Sequence, residues 1–292
     1  MKKILVFVDF SLSTDMVCQY AIEFARNTAT EILLFHNCID QVVIPDNTFL
    51  TSMDMNTMYN EELMKELWHQ SEKNLTDLKE KVKLKIDRAQ LNNIQIQTAL
   101  TGGDIELELK DICLSYKPDL MVMGMKGKGK SVNAFGRIAT FIVNNIQIPV
   151  LMIPELKGFL GFRETMVAVG LEDENLIMID QMTDLLSPFE VQIHCVHFLV
   201  HKQNPKAETI RFETLKNSFP VNEKSGNVSF EMVEAIDNNQ LNIENYIKNN
   251  NITLLAYQPH KHSLLYTLFT GNITKKNFFQ INIPIIALPL ME

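Results

Sequence analysis

The sequence predicts an α/β protein made of two tandem doubly wound domains, each built on a five-stranded, mainly parallel sheet. Three observations lead to this fold class. Apolar segments typical of strands alternate with amphipathic segments typical of helices through the first half, which is the pattern of a parallel sheet covered on both faces. Segments of the first half recur in the second half. A glycine-rich loop follows one of the apolar strands.

The elements of the first half follow from the spacing of its apolar residues. A continuous apolar run predicts a strand buried on both faces, and apolar residues three and four apart predict a helix. The predicted strands of this kind are Ile4–Val8, Ile32–Phe35, Leu120–Met123 and Val150–Ile153, and Ile94–Leu100 alternates like a less buried fifth strand. The predicted helices are Met16–Arg26, Glu61–Leu91, Ile105–Ser115 and one that opens at Gly136. Asp40–Met58 has no clear period and is expected to be a loop.

Polar residues and apolar faces refine these helices. Ser11 and Ser13 are expected to cap the first helix, and Asp104 the third, because such side chains accept hydrogen bonds from the free N–H groups of a first turn. The long helix is expected to turn one apolar face inward, formed by Leu63, Leu67, Leu75, Leu78, Val82 and Ile86.

The second half repeats parts of the first. Ile148–Pro154, near the end of the first half, recurs as Ile283–Pro289, near the end of the chain. Ile4–Val8, at the start of the chain, resembles Thr165–Val169, at the start of the second half. Copies that lie about half the chain apart indicate a duplicated domain rather than a solenoid of short units.

The same comparison sets the domain boundaries. The offset that relates Ile4–Val8 to Thr165–Val169 also places His36 on His197. Gly158 and Gly161 punctuate a short connector. The predicted domains are therefore residues 1–156, with the glycine loop, and residues 163–292, a degenerate copy.

The two terminal strands predict how the domains meet. Val150–Ile153 and Ile285–Leu288 are both apolar and resemble each other. An exposed apolar edge would invite aggregation, and pairing the two strands would cover both edges. One chain would then reproduce a two-domain dimer within itself, with a homodimer of the whole chain as an additional possibility.

Composition excludes several classes of function. The net charge is −8, with 16 basic and 20 acidic residues up to Leu156 and 11 and 15 beyond it, so neither half has the basic surface of a nucleic-acid binder. No apolar run reaches membrane-spanning length, and a signal peptide is not expected. The cysteines are scattered and are expected to be reduced, as in a cytoplasmic protein: Cys18, Cys38, Cys113 and Cys195.

The glycine loop has the properties of a phosphate cradle. Gly124 ends a predicted strand, Gly127 follows three residues later, and Gly136 opens a helical pattern. Glycine lets backbone N–H groups approach an anion closely, and a helix N-terminus favours phosphate. Gly124–Ser131 also satisfies the G-x-x-x-x-G-K-S pattern of a P-loop. A plain turn without a ligand is the third interpretation.

Several short motifs in order resemble the universal stress protein family. They are Val8-Asp-Phe-Ser11, Gly102-Gly-Asp-Ile-Glu106, Pro118-Asp-Leu-Met-Val-Met-Gly-Met-Lys-Gly127 and Ile148-Pro-Val-Leu-Met-Ile153. The resemblance covers nearly the whole chain as two copies, clear in the first and faded in the second. It implies the doubly wound fold of the adenine nucleotide alpha hydrolase-like proteins, and packing through the last strands.

The resemblance also implies a nucleotide site in the first domain. Some family members bind ATP through an Asp after the first strand, a residue after the second strand that meets the adenine, and G-2x-G-9x-G-(S/T). Asp9, Asn37 and the three loop glycines match by position. Two departures concern the loop: only eight residues separate Gly127 from Gly136, and Arg137 stands in place of Ser or Thr. Lys126 and Arg137 are candidates for compensating charge.

The second copy lacks most of this pattern. Gly170 stands in place of Asp9, while Pro259 and His262 stand in place of the first two loop glycines. Proline has no N–H to offer a phosphate. Only Gly271 remains of the pattern, so this half is expected to be a partner domain without nucleotide.

Together these observations predict a cytoplasmic regulatory protein of stress-response type that binds one ATP or ADP, with or without Mg²⁺. Its partners are expected to be that nucleotide and an unidentified protein, without nucleic acid or membrane. The alternatives are a nucleotide-independent scaffold protein and a slow ATPase. No catalytic or metal-binding group is predicted.

Overall fold

The computed structural model of the protein describes residues 2–27, 31–38, 53–125, 137–155, 157–171, 175–200, 205–219, 227–235, 239–259 and 282–289. It is an α/β structure, as the sequence predicts. The first half contains β1 (Lys3–Phe7), α1 (Thr14–Arg26), β2 (Glu31–Asn37), α2 (Met53–Arg88), β3 (Gln95–Thr101), α3 (Ile105–Tyr116), β4 (Leu120–Gly124), α4 (Arg137–Asn145) and β5 (Val150–Ile153). The second half contains β6 (Glu164–Ala168), α5 (Asn175–Leu186), β7 (Gln192–Val200), α6 (Pro205–Ser218), β8 (Val228–Ala235), α7 (Asn239–Asn249), β9 (Leu254–Tyr257) and β10 (Ile285–Ala287).

The described strands form a single sheet in the order β3-β2-β1-β4-β5-β10-β9-β6-β7-β8. Counted from its outer edge to the centre of the sheet, each half has the same order of strands: β3-β2-β1-β4-β5 in the first half and β8-β7-β6-β9-β10 in the second. Pairing is parallel within each half. The strands of both halves therefore have the doubly wound arrangement that the sequence predicts.

The two halves meet at one antiparallel pair, β5 with β10. Ile285 lies opposite Met152, Ile286 opposite Leu151 and Ala287 opposite Val150. These side chains are at most 3 % exposed, so the junction lies inside the core. Because only this pair of the described strands is antiparallel, the carboxyl ends of the two sets of parallel strands point to opposite edges of the sheet.

Helices cover both faces of the sheet. Core residues of α1, α2, α5 and α6 pack on one face, and core residues of α3, α4 and α7 pack on the other. The apolar runs of the strands supply both cores, as expected for strands buried on both faces. None of the helices in the described part of the chain is long and apolar enough to cross a bilayer.

The connector between the halves is anchored at one buried aromatic residue. Phe162 is 4 % exposed, and its ring lies 4.9 Å from Phe24 and 5.0 Å from Phe189, centroid to centroid. The Tyr20 hydroxyl accepts a hydrogen bond of 3.1 Å from the backbone N–H of Leu160. An aromatic cluster thus fixes the connector to α1 of the first half and to Phe189, shortly after α5, in the second.

Helix α2 departs from the prediction at its start. It begins at Met53, inside the segment expected to be a loop, and extends for 36 residues, or about 54 Å. Leu75, Leu78, Val82 and Ile86 are buried as expected, but Leu63 is 43 % exposed and Leu67 is only partly buried. The periodic apolar residues of α2 are therefore buried only in the part of the helix that packs on the sheet.

Asp104 caps α3 as predicted. Its Oδ1 accepts hydrogen bonds from the backbone N–H groups of Glu106 and Leu107, at 3.0 and 3.1 Å. Ser11 and Ser13 behave differently at α1. Ser13 occupies the N-cap position without a side-chain capping bond, and the two hydroxyls lie 2.9 Å apart in a hydrogen bond with each other. The predicted serine caps are therefore wrong, and the first turn is joined through backbone carbonyls instead.

Removing the second half tests the β5–β10 junction. A protein that ends at Arg163 keeps Phe159 and Phe162 but exposes the buried edge of β5, so we expect it to dimerise or aggregate. Light scattering on the truncated and full-length proteins measures this. A truncated protein that stays soluble and monomeric at high concentration would contradict the assigned role of the junction.

Candidate functional site

The candidate site lies at the carboxyl edge of the first half, where strand order reverses. From β1 the chain builds β2 and β3 to one side and then β4 and β5 to the other. Ligands of doubly wound sheets bind in the crevice outside such a reversal. β1 pairs with β4 up to Phe7 and Met123. Asp9 and Gly124 follow these residues within two positions, so the fold places both beside the crevice.

Asp9 is held by the loop that it opens. Its Oδ1 accepts a hydrogen bond of 2.9 Å from the backbone N–H of Ser11 and lies 3.5 Å from the hydroxyl of Thr14, which donates to it. Among the residues that the structure describes, no partner is bonded to Oδ2. The carboxylate is thus oriented through one oxygen and can accept from a ligand through the other.

His36 fixes the residues on both sides of Asp9. Its Nδ1 lies 2.6 Å from the carbonyl oxygen of Val8, and since a carbonyl only accepts, Nδ1 carries the hydrogen. The imidazole also meets the ring of Phe10 edge-on, 4.7 Å between centroids. Phe10 has φ 53°, a left-handed conformation that costs energy outside glycine. His36 is 1 % exposed, so it supports this turn from within the core.

The second half contains the same contact. His197 Nδ1 lies 3.0 Å from the carbonyl oxygen of Val169, and in both halves the histidine follows its valine by 28 residues. The backbone agrees, because the N–H of Val8 donates to Phe35 at 2.8 Å and that of Val169 donates to Val196 at 3.0 Å. Sequence reasoning missed this supporting role, although the paired histidines were its signal.

Asn37 is placed at the same edge with its side chain turned toward β3. It is the last residue of β2 rather than a residue beyond it. Its amide nitrogen donates to Thr101 Oγ1 at 3.2 Å and to the carbonyl of Gly103 at 3.0 Å. The residue is fully buried. These bonds fix the end of β2 to the loop after β3, and the predicted contact with adenine stays a prediction.

The glycine loop starts where the sequence places it. Gly124 is the last residue of β4 and lies opposite Ile153, and the N–H of Met125 donates to Ile153 at 2.8 Å. Arg137 is the first residue of α4; only its backbone is described. Lys126, Gly127 and Gly136 lie outside the described residues, so their predicted roles stay predictions.

The corresponding edge of the second half offers different groups. Gly170 follows β6, and Gln258 and Pro259 follow β9. These positions therefore supply neither the carboxylate of Asp9 nor a backbone N–H at Pro259. His262 and Gly271 lie outside the described residues.

The cysteines are poor nucleophiles in this structure. All four are free. Burial raises the pKa of Cys18 to about 12 and that of Cys113 to about 11, and it also raises the pKa of Cys38 and Cys195. Because the thiolate is the reactive form, Cys38 at the end of β2 acts as an apolar packing group.

The histidines of β7 contact different partners. His194 Nε2 lies 2.9 Å from Glu164 Oε2, and its ring faces Tyr246 on one side of the sheet. His197 faces Phe212 on the other side, and its Nε2 lies 3.5 Å from Glu208. Within the described ranges, no group of three His, Cys, Asp or Glu side chains is arranged to hold a metal ion.

Comparison with known families assigns the first half of the chain to a family. The model of the universal stress protein family matches residues 1–154. The chain belongs to the universal stress protein family. Its residues 1–154 contain the whole of the candidate site, from Asp9 to Arg137. No curated protein sequence matches the chain.

Solved structures show how far the fold extends. A universal stress protein from Archaeoglobus fulgidus aligns over 99 % of this chain and 97 % of its own, with a TM-score of 0.66 and 13 % identity. A protein of unknown function from Pseudomonas aeruginosa aligns over 99 % and 93 %, with a TM-score of 0.60 and 11 % identity. The cytoplasmic domain of a prokaryotic cation chloride cotransporter aligns over 98 % and 94 %, with a TM-score of 0.51 and 10 % identity. These likenesses concern the fold over nearly the full length.

The paired histidines allow a matched test. We expect His36→Ala and His197→Ala each to lower the free energy of unfolding by about 1–3 kcal/mol, because each leaves a buried carbonyl without its donor. Asn places Nδ2 where His has Nδ1, so His36→Asn should recover part of the loss. Urea unfolding measures all three variants. If His36→Asn is as unstable as His36→Ala, ring packing rather than the hydrogen bond stabilises the turn.

Proposed function

We propose that this stress-response family member is a cytoplasmic regulatory protein that binds one ATP or ADP, with or without Mg²⁺, at the carboxyl edge of its first half. The observation that supports this most is the position of Asp9 and Gly124 on either side of the strand reversal. The crevice there combines a carboxylate, which accepts from hydroxyl or amine groups, with the start of a glycine loop, whose N–H groups suit phosphate.

Charge decides which part of the nucleotide is assigned to which part of the proposed site. Phosphates carry negative charge and would be repelled by Asp9, so they belong at the loop after β4, with Gly127 and Gly136 close to them. Lys126 and Arg137 would add positive charge there. Asp9 would then accept from the donors of the sugar or base. Binding, rather than hydrolysis, is the proposed activity.

A nucleotide-independent interaction protein is the second candidate. Two observations favour it: the loop between Gly127 and Gly136 is shorter than the family pattern, and Arg137 replaces the Ser or Thr of that pattern. The same fold also forms the cytoplasmic domain of a cotransporter. In this case the fold would serve as a docking unit for an unidentified protein.

The proposed assembly is a pseudo-dimer within one chain. The β5–β10 pair supports it, because the edge that two separate domains would share is already covered. The full chain then has no need to self-associate through this edge.

Calorimetry decides between the two candidates. We expect a dissociation constant for ATP or ADP in the micromolar range or weaker. Gly127→Val should abolish binding, since its branched side chain would enter the space assigned to phosphate. Gly158→Val is the matched control, because a Cβ at Gly158 meets nothing within 4 Å. No heat and no thermal shift with millimolar Mg-ATP would favour the interaction protein.

Stoichiometry tests the asymmetry between the halves. We expect one nucleotide per chain, because Gly170 and Pro259 remove a carboxylate and a backbone donor from the second half. Titration of a known protein concentration measures this ratio. A value of two would show that the second half binds nucleotide without these groups.

A further inference from the structure

Trp68 is the only tryptophan of the chain, and it lies over the ends of β2 and β3. A Cβ built on Gly102, directly after β3, would come within 3.1 Å of Cζ3 of the indole. The same point is 3.2 Å from Sγ of Cys38, directly after β2. Any residue larger than glycine at position 102 would therefore press on the ring.

The ring stands at the border between packed and open parts of α2. Ser71 is 5 % exposed and Leu75 is 3 % exposed, whereas Trp68 is 42 % exposed. The indole thus lies against Gly102, at the carboxyl edge of the sheet that also carries Asp9, and the residue remains partly exposed there. An aromatic surface placed this way is suited to stacking against a flat ligand group.

The spacing of the strand ends places Trp68 within reach of a nucleotide bound after β4. Neighbouring strands lie about 4.8 Å apart, so β2 and β3 lie about 10 and 14 Å from β4. In the proposed site the phosphates lie after β4, and a donor group of the nucleotide bonds to Asp9 after β1. The rest of the nucleotide then extends in the same direction along the edge, toward β2 and β3. Asn37 and Gly103 are bonded to each other there, which fixes the ends of β2 and β3 on either side of Gly102 and Cys38.

We propose that Trp68 stacks on the adenine base and forms the base-binding wall of the site. The proposal rests on the nucleotide function proposed above and adds a contact from α2. It assigns affinity for the base to Trp68 and affinity for the phosphates to the glycine loop. Aromatic stacking on a base is sequence-tolerant, because every base offers a π-face. Guanine nucleotides should therefore also bind through this contact.

Intrinsic fluorescence gives a direct readout, because every photon of tryptophan emission comes from this residue. ATP should change the emission intensity or wavelength of the full-length protein. Inorganic tripolyphosphate, which has the phosphates without a base, should bind without that change. Calorimetry on the same samples separates binding from the optical signal.

Substitutions test whether Trp68 contacts the base or only lies near the bound nucleotide. Trp68→Ala should weaken ATP binding by at least about fivefold, from the energy of one stacked base, and leave tripolyphosphate binding unchanged. Trp68→Phe should retain most of the affinity for ATP. Leu63→Ala is the matched control on the same helix, because Leu63 is exposed to a similar extent, 43 %. Gly102→Ala, whose Cβ would press on the ring and on Cys38, should weaken ATP binding even if Trp68→Ala does not fold.

The outcomes distinguish the two proposals. If calorimetry shows that Trp68→Ala and Gly102→Ala bind ATP with unchanged affinity, the stacking contact is overturned and the nucleotide function is left intact. This holds whether or not the emission changes. Equal losses for ATP and tripolyphosphate also overturn it, since the ring would then act on the whole site. Absence of any ATP binding to the unaltered protein overturns both.

Discussion

The antiparallel pairing of β5 with β10 is the contact on which the rest of the architecture depends. Each half of the sheet would otherwise end in an apolar strand with unpaired N–H and C=O groups, which is an aggregation hazard. Three residue pairs join the two edges, and their side chains continue the core on both faces of the sheet. The aromatic cluster around Phe162 then holds the connector against α1 and against Phe189, shortly after α5.

Local patterns predicted the fold well because the inner strands of the sheet are buried on both faces. The continuous apolar runs Ile4–Val8 and Val150–Ile153 are typical of buried strands. The resemblance between the two terminal strands indicated that they pair with each other. The start of α2 could not be predicted, since Met53–Asn60 has no apolar period that marks a helix. Leu63 was assigned inward because a periodic pattern does not show where the sheet beneath a helix ends. Ser13 failed as a side-chain cap because its hydroxyl is bonded to Ser11.

The candidate site was predictable to the level of strand ends. Residues after parallel strands meet at one edge of the sheet, so the sequence alone predicts that Asp9 and Gly124 lie at neighbouring strand ends. What the sequence does not provide is the direction of a side chain. Asn37 turns toward β3 because Thr101 and Gly103 offer acceptors there. Trp68 comes to the edge from a helix distant in sequence, and only the glycine at position 102 makes room for it.

The opposite orientation of the two carboxyl edges has a consequence for how such a protein can change over time. In a dimer of identical chains, every substitution appears at both ends at once. Within one chain the two ends accumulate substitutions separately, while the shared centre constrains both. The histidine contact is kept at both ends, at Val8 and at Val169, whereas the acidic residue beside it is kept at only one. Two halves in one chain can thus differ in the polar groups at their carboxyl edges while both retain the same histidine support.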